Sequence, residues 1–219
     1  MPLPDRLAPM LLHRFSSVEG YALTDPRLPD LLRALKAGHP RRAYGDIIVG
    51  VITNSDDRVP SILSSLGVRV GSLRYGTSPR RASAPDTPYE IDFHCMSYDV
   101  GHEKPDRRVF EAAEEMLTGI LATRHGSSAD ATEWNRLYVG DEYEKDVKGA
   151  LGAGWAAALL AEDGQHSDSA PRHLDESNFR NVPPETIIDE QRAVSVTSIS
   201  VLVEWLTGHA AGPVVIEQP

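Results

Sequence analysis

The order of hydrophobic and polar positions predicts alternating helices and strands in the first part of the chain. Leucines recur at helical spacing over residues 25–37, and Gly38 follows as a stop signal. The run DIIVGVIT, residues 46–53, is continuous and rich in β-branched side chains, which is typical of a parallel strand buried on both faces. Residues 57–66 have the pattern of a helix that follows this strand.

The alternation continues to the end of the chain. Apolar runs predict strands over residues 91–96, 136–139 and 156–160, and helical spacing predicts helices over residues 105–121 and 196–206. The first of these helices is expected to bury one face, made of Val109, Ala112, Ala113 and Met116. Alternating strands and helices indicate the α/β class, with a doubly wound parallel sheet.

Three polar stretches interrupt this pattern. They lie near residues 69–90, 122–135 and 162–180 and are rich in residues that favour turns and loops. We interpret them as loop insertions in one α/β domain.

Composition narrows the classes of function. The formal net charge of −10 argues against nucleic acid as the main partner, because phosphate backbones require a basic surface. The single cysteine, Cys95, cannot form an internal disulfide and fits a reducing compartment. Neither a targeting segment nor a membrane span is recognisable, so we expect a soluble protein of the cytoplasm or nucleus, without a membrane partner.

Polar residues follow three of the predicted strands. The cluster Thr53-Asn54-Ser55 lies at the end of the first strand, the segment from Gly101 to Pro105 follows the second, and Gly140-Asp141 follows the third. In doubly wound sheets, ligands bind at the carboxyl ends of the strands. We therefore expect these residues to converge on one crevice.

The residue types in these clusters are those of phosphoryl chemistry. The Thr53 hydroxyl can bind a phosphate oxygen without adding charge, and Lys104 can place an ammonium group against phosphate. Asp141 and Asp146 offer hard oxygen ligands that suit Mg²⁺. Taken singly, each cluster also has an ordinary structural explanation, such as a helix cap or a surface lysine.

Three segments resemble motifs II, III and IV of the haloacid dehalogenase (HAD) superfamily. The segments are VITNSDDR, GHEKPDRRVF and YVGDEYEKDVKGALGAG, and they occur in the family's order along residues 14–206. The branch that they resemble most is named haloacid dehalogenase-like hydrolase domain-containing protein 3. The resemblance implies a three-layer Rossmann-like core with a parallel sheet, over residues 25–219, and makes residues 1–24 a remnant of the helical cap or a linker.

The resemblance also implies a role for each candidate residue. Thr53 corresponds to the motif II hydroxyl that binds the transferring phosphoryl group, with Asn54 beside it. Lys104 corresponds to the motif III lysine, which neutralises the nucleophile and the phosphoryl oxygens. Asp141 and Asp146 correspond to the motif IV acids at a Mg²⁺ ion, and the implied reaction is hydrolysis of a phosphate monoester through an aspartyl-phosphate.

One element of the family pattern is missing from the sequence. Motif I is a strand that ends in Asp-x-Asp and supplies the nucleophile and the general acid, and the 219 residues contain no Asp-x-Asp. We therefore expect the first, central strand and most of the helical cap to be absent, as in a truncated chain, and catalysis to be impaired or lost. Loss of a central strand also predicts exposed sheet edges and self-association through them.

Two other functions stay open on the sequence. The chain can be a non-catalytic module that binds a small phosphorylated molecule or a protein, or a metal-responsive domain that resembles a receiver. The glycines from Gly149 to Gly154 have the wrong order for a dinucleotide fingerprint and are interpreted as packing residues.

Overall fold

The computed structural model describes residues 4–37, 46–77, 89–125, 134–161, 171–175 and 177–208. The helices in these ranges are α1 (Leu7–Arg14), α2 (Leu28–Lys36), α3 (Val59–Ser65), α4 (Ser97–Val100), α5 (Arg107–His125), α6 (Lys148–Gly152), α7 (Pro184–Ile188) and α8 (Ile199–Gly208). The strands are β1 (Gly50–Thr53), β2 (Val70–Arg74), β3 (Ile91–Met96), β4 (Leu137–Gly140), β5 (Ala156–Leu160), β6 (Arg172–Leu174) and β7 (Ala193–Val196). A π-helical turn covers Tyr143–Val147, and a short 3₁₀ helix covers Phe179–Asn181.

The chain folds as two compact units, and each has its own parallel sheet. The first unit comprises residues 1–32 and 48–134, and the second comprises residues 33–47 and 135–219. Every strand pairing in both sheets is parallel. The prediction of an α/β protein with a parallel sheet is confirmed.

The sheet of the first unit has the strand order β1-β3-β2. Its central strand, β3, is almost wholly buried, and α5 packs against it. The face predicted for this helix is confirmed, because the side chains of Val109, Ala112, Ala113 and Met116 are all buried. Burial of this face and of β3 forms the core of the unit.

The sheet of the second unit has the strand order β4-β5-β7-β6. Its hydrophobic core joins strands β5, β6 and β7 to α7, α8 and the 3₁₀ helix. Trp205 of α8 is fully buried in this core, and its indole Nε1–H donates to the carbonyl oxygen of Val182 at 2.6 Å. β1 is an edge strand of the three-stranded sheet, and β4 is an edge strand of the four-stranded sheet.

Several predicted elements are confirmed, two of them with the same bounds. The strands at residues 91–96 and 156–160 begin and end where the sequence predicts. The helices predicted over residues 25–37, 57–66 and 105–121 correspond to α2, α3 and α5.

Other predictions of local structure were wrong. The first polar stretch, predicted as a loop, contains β2, and the third contains β6 and the 3₁₀ helix. The closing helix begins at Ile199 rather than at 196, because residues 193–196 form β7. The second polar stretch, predicted as a loop from residue 122, begins within α5, which continues to His125. Residues 78–88, 126–133, 162–170 and 176 of the predicted loops lie outside the described residues.

The N-terminal helix α1 differs from the others in its surroundings. None of its residues is buried, and Met10 and Leu12 are 64% and 67% exposed. In the ranges that the structure covers, none of the helices is both long and apolar enough to cross a membrane.

Candidate functional site

The first half of the predicted site lies at the carboxyl end of the three-stranded sheet. Thr53 is the last residue of β1, and its register partner Met96 is the last residue of β3. The segments that follow these two strands are hydrogen-bonded to each other, because the Tyr98 N–H donates to the Ser55 carbonyl oxygen at 3.2 Å. The Ser97 hydroxyl donates to the same oxygen at 3.3 Å. Parallel pairing therefore aligns the end of motif II with the start of the segment that leads to motif III.

Asn54 joins motif II to motif III through two hydrogen bonds. The Lys104 N–H donates to Asn54 Oδ1 at 2.7 Å, and Asn54 Nδ2–H donates to the Lys104 carbonyl oxygen at 3.1 Å. These residues are 50 positions apart in sequence. The structure thus places the Lys104 backbone beside Asn54, the residue that follows Thr53.

The second half of the predicted site lies in the four-stranded unit. Asp141 directly follows β4 and is exposed, whereas Asp146 is only 4% exposed and belongs to the π-helical turn. Asp146 Oδ2 accepts a hydrogen bond from the Glu142 N–H at 2.9 Å. Asp146 therefore fixes the backbone immediately after Asp141.

Gly140 is required by the position of the Asp146 carboxylate. A Cβ atom at residue 140 would lie 2.2 Å from Asp146 Oδ2 and 2.3 Å from its Cγ. Such distances are far inside van der Waals contact, so only glycine lets the carboxylate lie against the end of β4. The motif's glycine and its second acid are a packed pair.

Tyr138 is a further residue of this half that the sequence analysis missed. Burial raises the pKa of its hydroxyl, and the neighbouring Asp146 carboxylate, to which the hydroxyl is hydrogen-bonded, raises it further. The hydroxyl therefore stays protonated and acts as a donor to Asp146. A tyrosine in the apolar strand just before Gly-Asp was the sequence signal for this role.

The acids of the second unit offer the oxygen ligands that Mg²⁺ prefers. This ion is commonly held by one or two carboxylates, with waters and substrate phosphates in its remaining positions. Exposed Asp141 fits that role, and Asp146 holds the turn behind it. Across the described ranges, no group of three or more His, Cys, Asp or Glu side chains is arranged to hold a metal.

The predicted site residues are therefore divided between the two units. Thr53, Asn54 and Lys104 belong to the first unit, and Asp141 and Asp146 belong to the second. Convergence of these two groups on one crevice stays a prediction.

Two nucleophile candidates elsewhere in the chain do not suit catalysis. Cys95 is fully buried in β3, and burial raises its thiol pKa to about 12, so the reactive thiolate is disfavoured. Ser195 Oγ lies 2.8 Å from His173 Nδ1, but this serine is only 2% exposed. Both side chains serve packing within their sheets.

Comparisons with known proteins connect the chain with hydrolases. It is 30% identical over 156 residues to an uncharacterized hydrolase of Schizosaccharomyces pombe. The aligned region is 71% of this chain and 54% of that relative. It is 25% identical over 195 residues to the glyceraldehyde 3-phosphate phosphatase of Methanopyrus kandleri. The aligned region is 81% of this chain and 77% of that relative. The chain spans about half the length of the first relatives that it matches. No protein-family model matches it.

A solved structure supports the fold. The HAD phosphatase from Thermococcus onnurineus matches with a TM-score of 0.51 and 18% identity, over 94% of this chain and 67% of that one. The match shows a Rossmann-like architecture common to the two proteins. The chain is thus similar in fold to a HAD phosphatase and similar in sequence to a hydrolase and a phosphatase.

Proposed function

We propose that this chain carries the phosphate-binding and metal-binding parts of a HAD phosphatase that acts on small phosphate monoesters. The observation that carries the proposal is the pair of hydrogen bonds that seats Lys104 beside the residue after Thr53. A hydroxyl donor and a lysine ammonium group are the residue types that bind and neutralise a phosphoryl group. The relative named as a glyceraldehyde 3-phosphate phosphatase supports a small phosphorylated molecule as the ligand.

Asp141 is proposed as the anchor for Mg²⁺, supported by Asp146, which fixes the turn behind it. When bound, Mg²⁺ supplies charge neutralisation at phosphate oxygens. The contribution of the protein is to hold an exposed carboxylate at the end of β4, with its backbone fixed. The Thr53 hydroxyl and the Lys104 ammonium group bind and orient the phosphoryl group.

These 219 residues are proposed to bind phosphate without efficient turnover. Aspartyl-phosphate chemistry requires a nucleophilic carboxylate, and the sequence has no Asp-x-Asp. Asp141 and Asp146 do not substitute for it, since one is assigned to the metal and the other is buried against Gly140. A phospho-ligand binding module, the alternative left open by the sequence, is therefore the activity proposed for the chain as written.

Binding and turnover separate these proposals experimentally. Inorganic phosphate with Mg²⁺ should give measurable binding by isothermal titration calorimetry, and Lys104→Ala should weaken it about tenfold or more. Lys36→Ala, which changes a lysine in the last turn of α2, is the matched control and should leave binding unchanged. An absence of phosphate binding to the wild type would contradict the proposed function.

Hydrolysis of p-nitrophenyl phosphate tests the second part. The chain with Mg²⁺ should give a rate close to the blank. A clear Mg²⁺-dependent rate that Asp141→Asn abolishes would show a functioning phosphatase and overturn the proposal of binding without turnover.

A further inference from the structure

Asn54 has both ends of its side-chain amide engaged by one residue. Its Oδ1 accepts from the Lys104 N–H at 2.7 Å, and its Nδ2–H donates to the Lys104 carbonyl oxygen at 3.1 Å. Both bonds lie in the range of good N–H···O geometry. The side chain is therefore committed to the Lys104 backbone instead of to a ligand.

We propose that Asn54 is a positioning residue, which sets the place from which the Lys104 side chain reaches phosphate. A lysine side chain is long and rotatable, so the position of its ammonium group depends on a fixed backbone. Parallel pairing fixes Asn54, because it directly follows the last register pair of β1 and β3, Thr53 with Met96. Through its two hydrogen bonds, the Asn54 amide fixes the backbone of Lys104, which lies 50 residues away in sequence.

The arrangement requires an amide and not only a polar side chain. Lys104 presents one backbone donor and one backbone acceptor, and asparagine supplies the complementary acceptor and donor in one planar group. An aspartate at this position lacks the donor and would place its charge against the Lys104 carbonyl oxygen. A serine has one short hydroxyl and cannot reach both groups at once.

The inference rests on the proposed function only for its effect on phosphate. The two hydrogen bonds between the Asn54 amide and the Lys104 backbone predict slow hydrogen exchange at the Lys104 N–H, whether or not any ligand binds. Asn54→Ala should speed this exchange about tenfold, which corresponds to about 1.4 kcal/mol and lies within the range for loss of one hydrogen bond. Unchanged exchange at Lys104 in Asn54→Ala would overturn the inference, and this holds even if the wild type fails to bind phosphate.

A double-mutant cycle separates positioning from a general loss of structure. Asn54→Ala should weaken binding of inorganic phosphate about tenfold in the wild type, but should have little effect in a Lys104→Ala background, because Asn54 acts through Lys104. Equal losses in both backgrounds would overturn the inference and assign Asn54 a structural role. Strong phosphate binding that Lys104→Ala removes and Asn54→Ala leaves intact would also overturn it, while the proposed function would stand.

The second unit offers a matched control. Asn178 also bridges a backbone acceptor and a backbone donor, through Nδ2–H to the His173 carbonyl oxygen at 3.1 Å and Oδ1 to the Asp175 N–H at 3.0 Å. Asn178→Ala should speed exchange at Asp175 and leave phosphate affinity unchanged. The two asparagines make the same kind of paired backbone hydrogen bonds, but only loss of the Asn54 pair is expected to change the affinity for phosphate.

Discussion

His94 of β3 is a buried base in an environment that disfavours its charge. It is 5% exposed, and its Nδ1 is the one buried side-chain nitrogen or oxygen without a hydrogen-bond partner among the residues described. Burial lowers its pKa, and the nearby Arg74 guanidinium lowers it further. Asp99 acts in the opposite direction but is paired with Arg74, so the neutral imidazole is favoured in the folded state.

This lowered pKa makes the stability of the first unit depend on pH. As the pH falls below about 6.5, the unfolded chain binds a proton before folded His94 does. The free energy of unfolding should therefore decrease until the pH reaches the lowered pKa of the folded state. Urea titrations at pH 7.5 and 5.5 should show a smaller decrease for His94→Phe than for the wild type. His13→Gln, which removes an exposed histidine, is the control, and equal decreases in all three proteins would contradict the prediction.

Gly140 should tolerate no side chain, because the Asp146 carboxylate fills the space of a Cβ. Gly140→Ala displaces that carboxylate from the Glu142 N–H, and we expect a loss of about 1–3 kcal/mol in the free energy of unfolding. The matched control is Gly152→Ala, where a Cβ meets nothing within 4 Å and lies in a helix. Denaturant unfolding measures both variants. Equal free energies of unfolding for Gly140→Ala and Gly152→Ala would contradict this prediction.

At the scale of elements, α8 anchors the connection before α7 through one tryptophan. Trp205 is fully buried and donates to the Val182 carbonyl oxygen at 2.6 Å. Trp205→Phe keeps an aromatic ring but leaves this buried carbonyl without its donor, so we expect a loss of about 1–3 kcal/mol, measured by denaturant unfolding. Glu204→Gln, at an exposed position of the same helix, should change stability by less than about 0.5 kcal/mol. Similar losses for both variants would argue against a specific anchor.

β3 and β5 are the strands whose bounds the sequence predicted correctly. β5 is entirely apolar, and four of the six residues of β3 are apolar and buried. The longer apolar run over residues 46–53 forms a strand only from Gly50 to Thr53, at the edge of its sheet, so an apolar run alone did not set its bounds. β6 has three residues, and only Leu174 of it is buried, so its formation depends on pairing with β7. β7 includes buried Ser195 and adjoins an apolar helix, which hid the boundary at Val196.

The candidate site shows the same limit. Residue types, their order and the family resemblance predict Thr53, Lys104 and the two acids as site residues, because phosphate and metal chemistry restrict the choice of side chains. The sequence could not predict that the Asn54 amide is committed to the backbone of a residue 50 positions away, since that depends on parallel pairing. Nor could it predict the close contact between Asp146 and Gly140, which depends on the π-helical turn.

At the scale of the whole molecule, an apolar surface at the N-terminus contrasts with an acidic chain. Large side chains are exposed along and after α1, namely Met10, Leu11, Leu12, Phe15, Val18 and Tyr21. Exposed large apolar side chains concentrated in one segment favour association. The chain's net charge of −10 opposes association by long-range repulsion, which salt screens.

Self-association should therefore depend on α1 and increase with salt. Sedimentation velocity at several protein concentrations should show more association at 0.5 M than at 0.05 M NaCl. Leu12→Lys combined with Phe15→Lys should weaken that association about tenfold or more, because burial of one such side chain contributes roughly 1.5–3 kcal/mol. Both side chains are exposed, at 67% and 47%, so the double variant should keep the thermal stability of the wild type. Lys substitutions at two exposed polar positions, Ser61 and Thr118, control for the added charge. If association persists unchanged in the α1 variant, the contact lies elsewhere, and the sheet edges predicted from the sequence become the next surfaces to test.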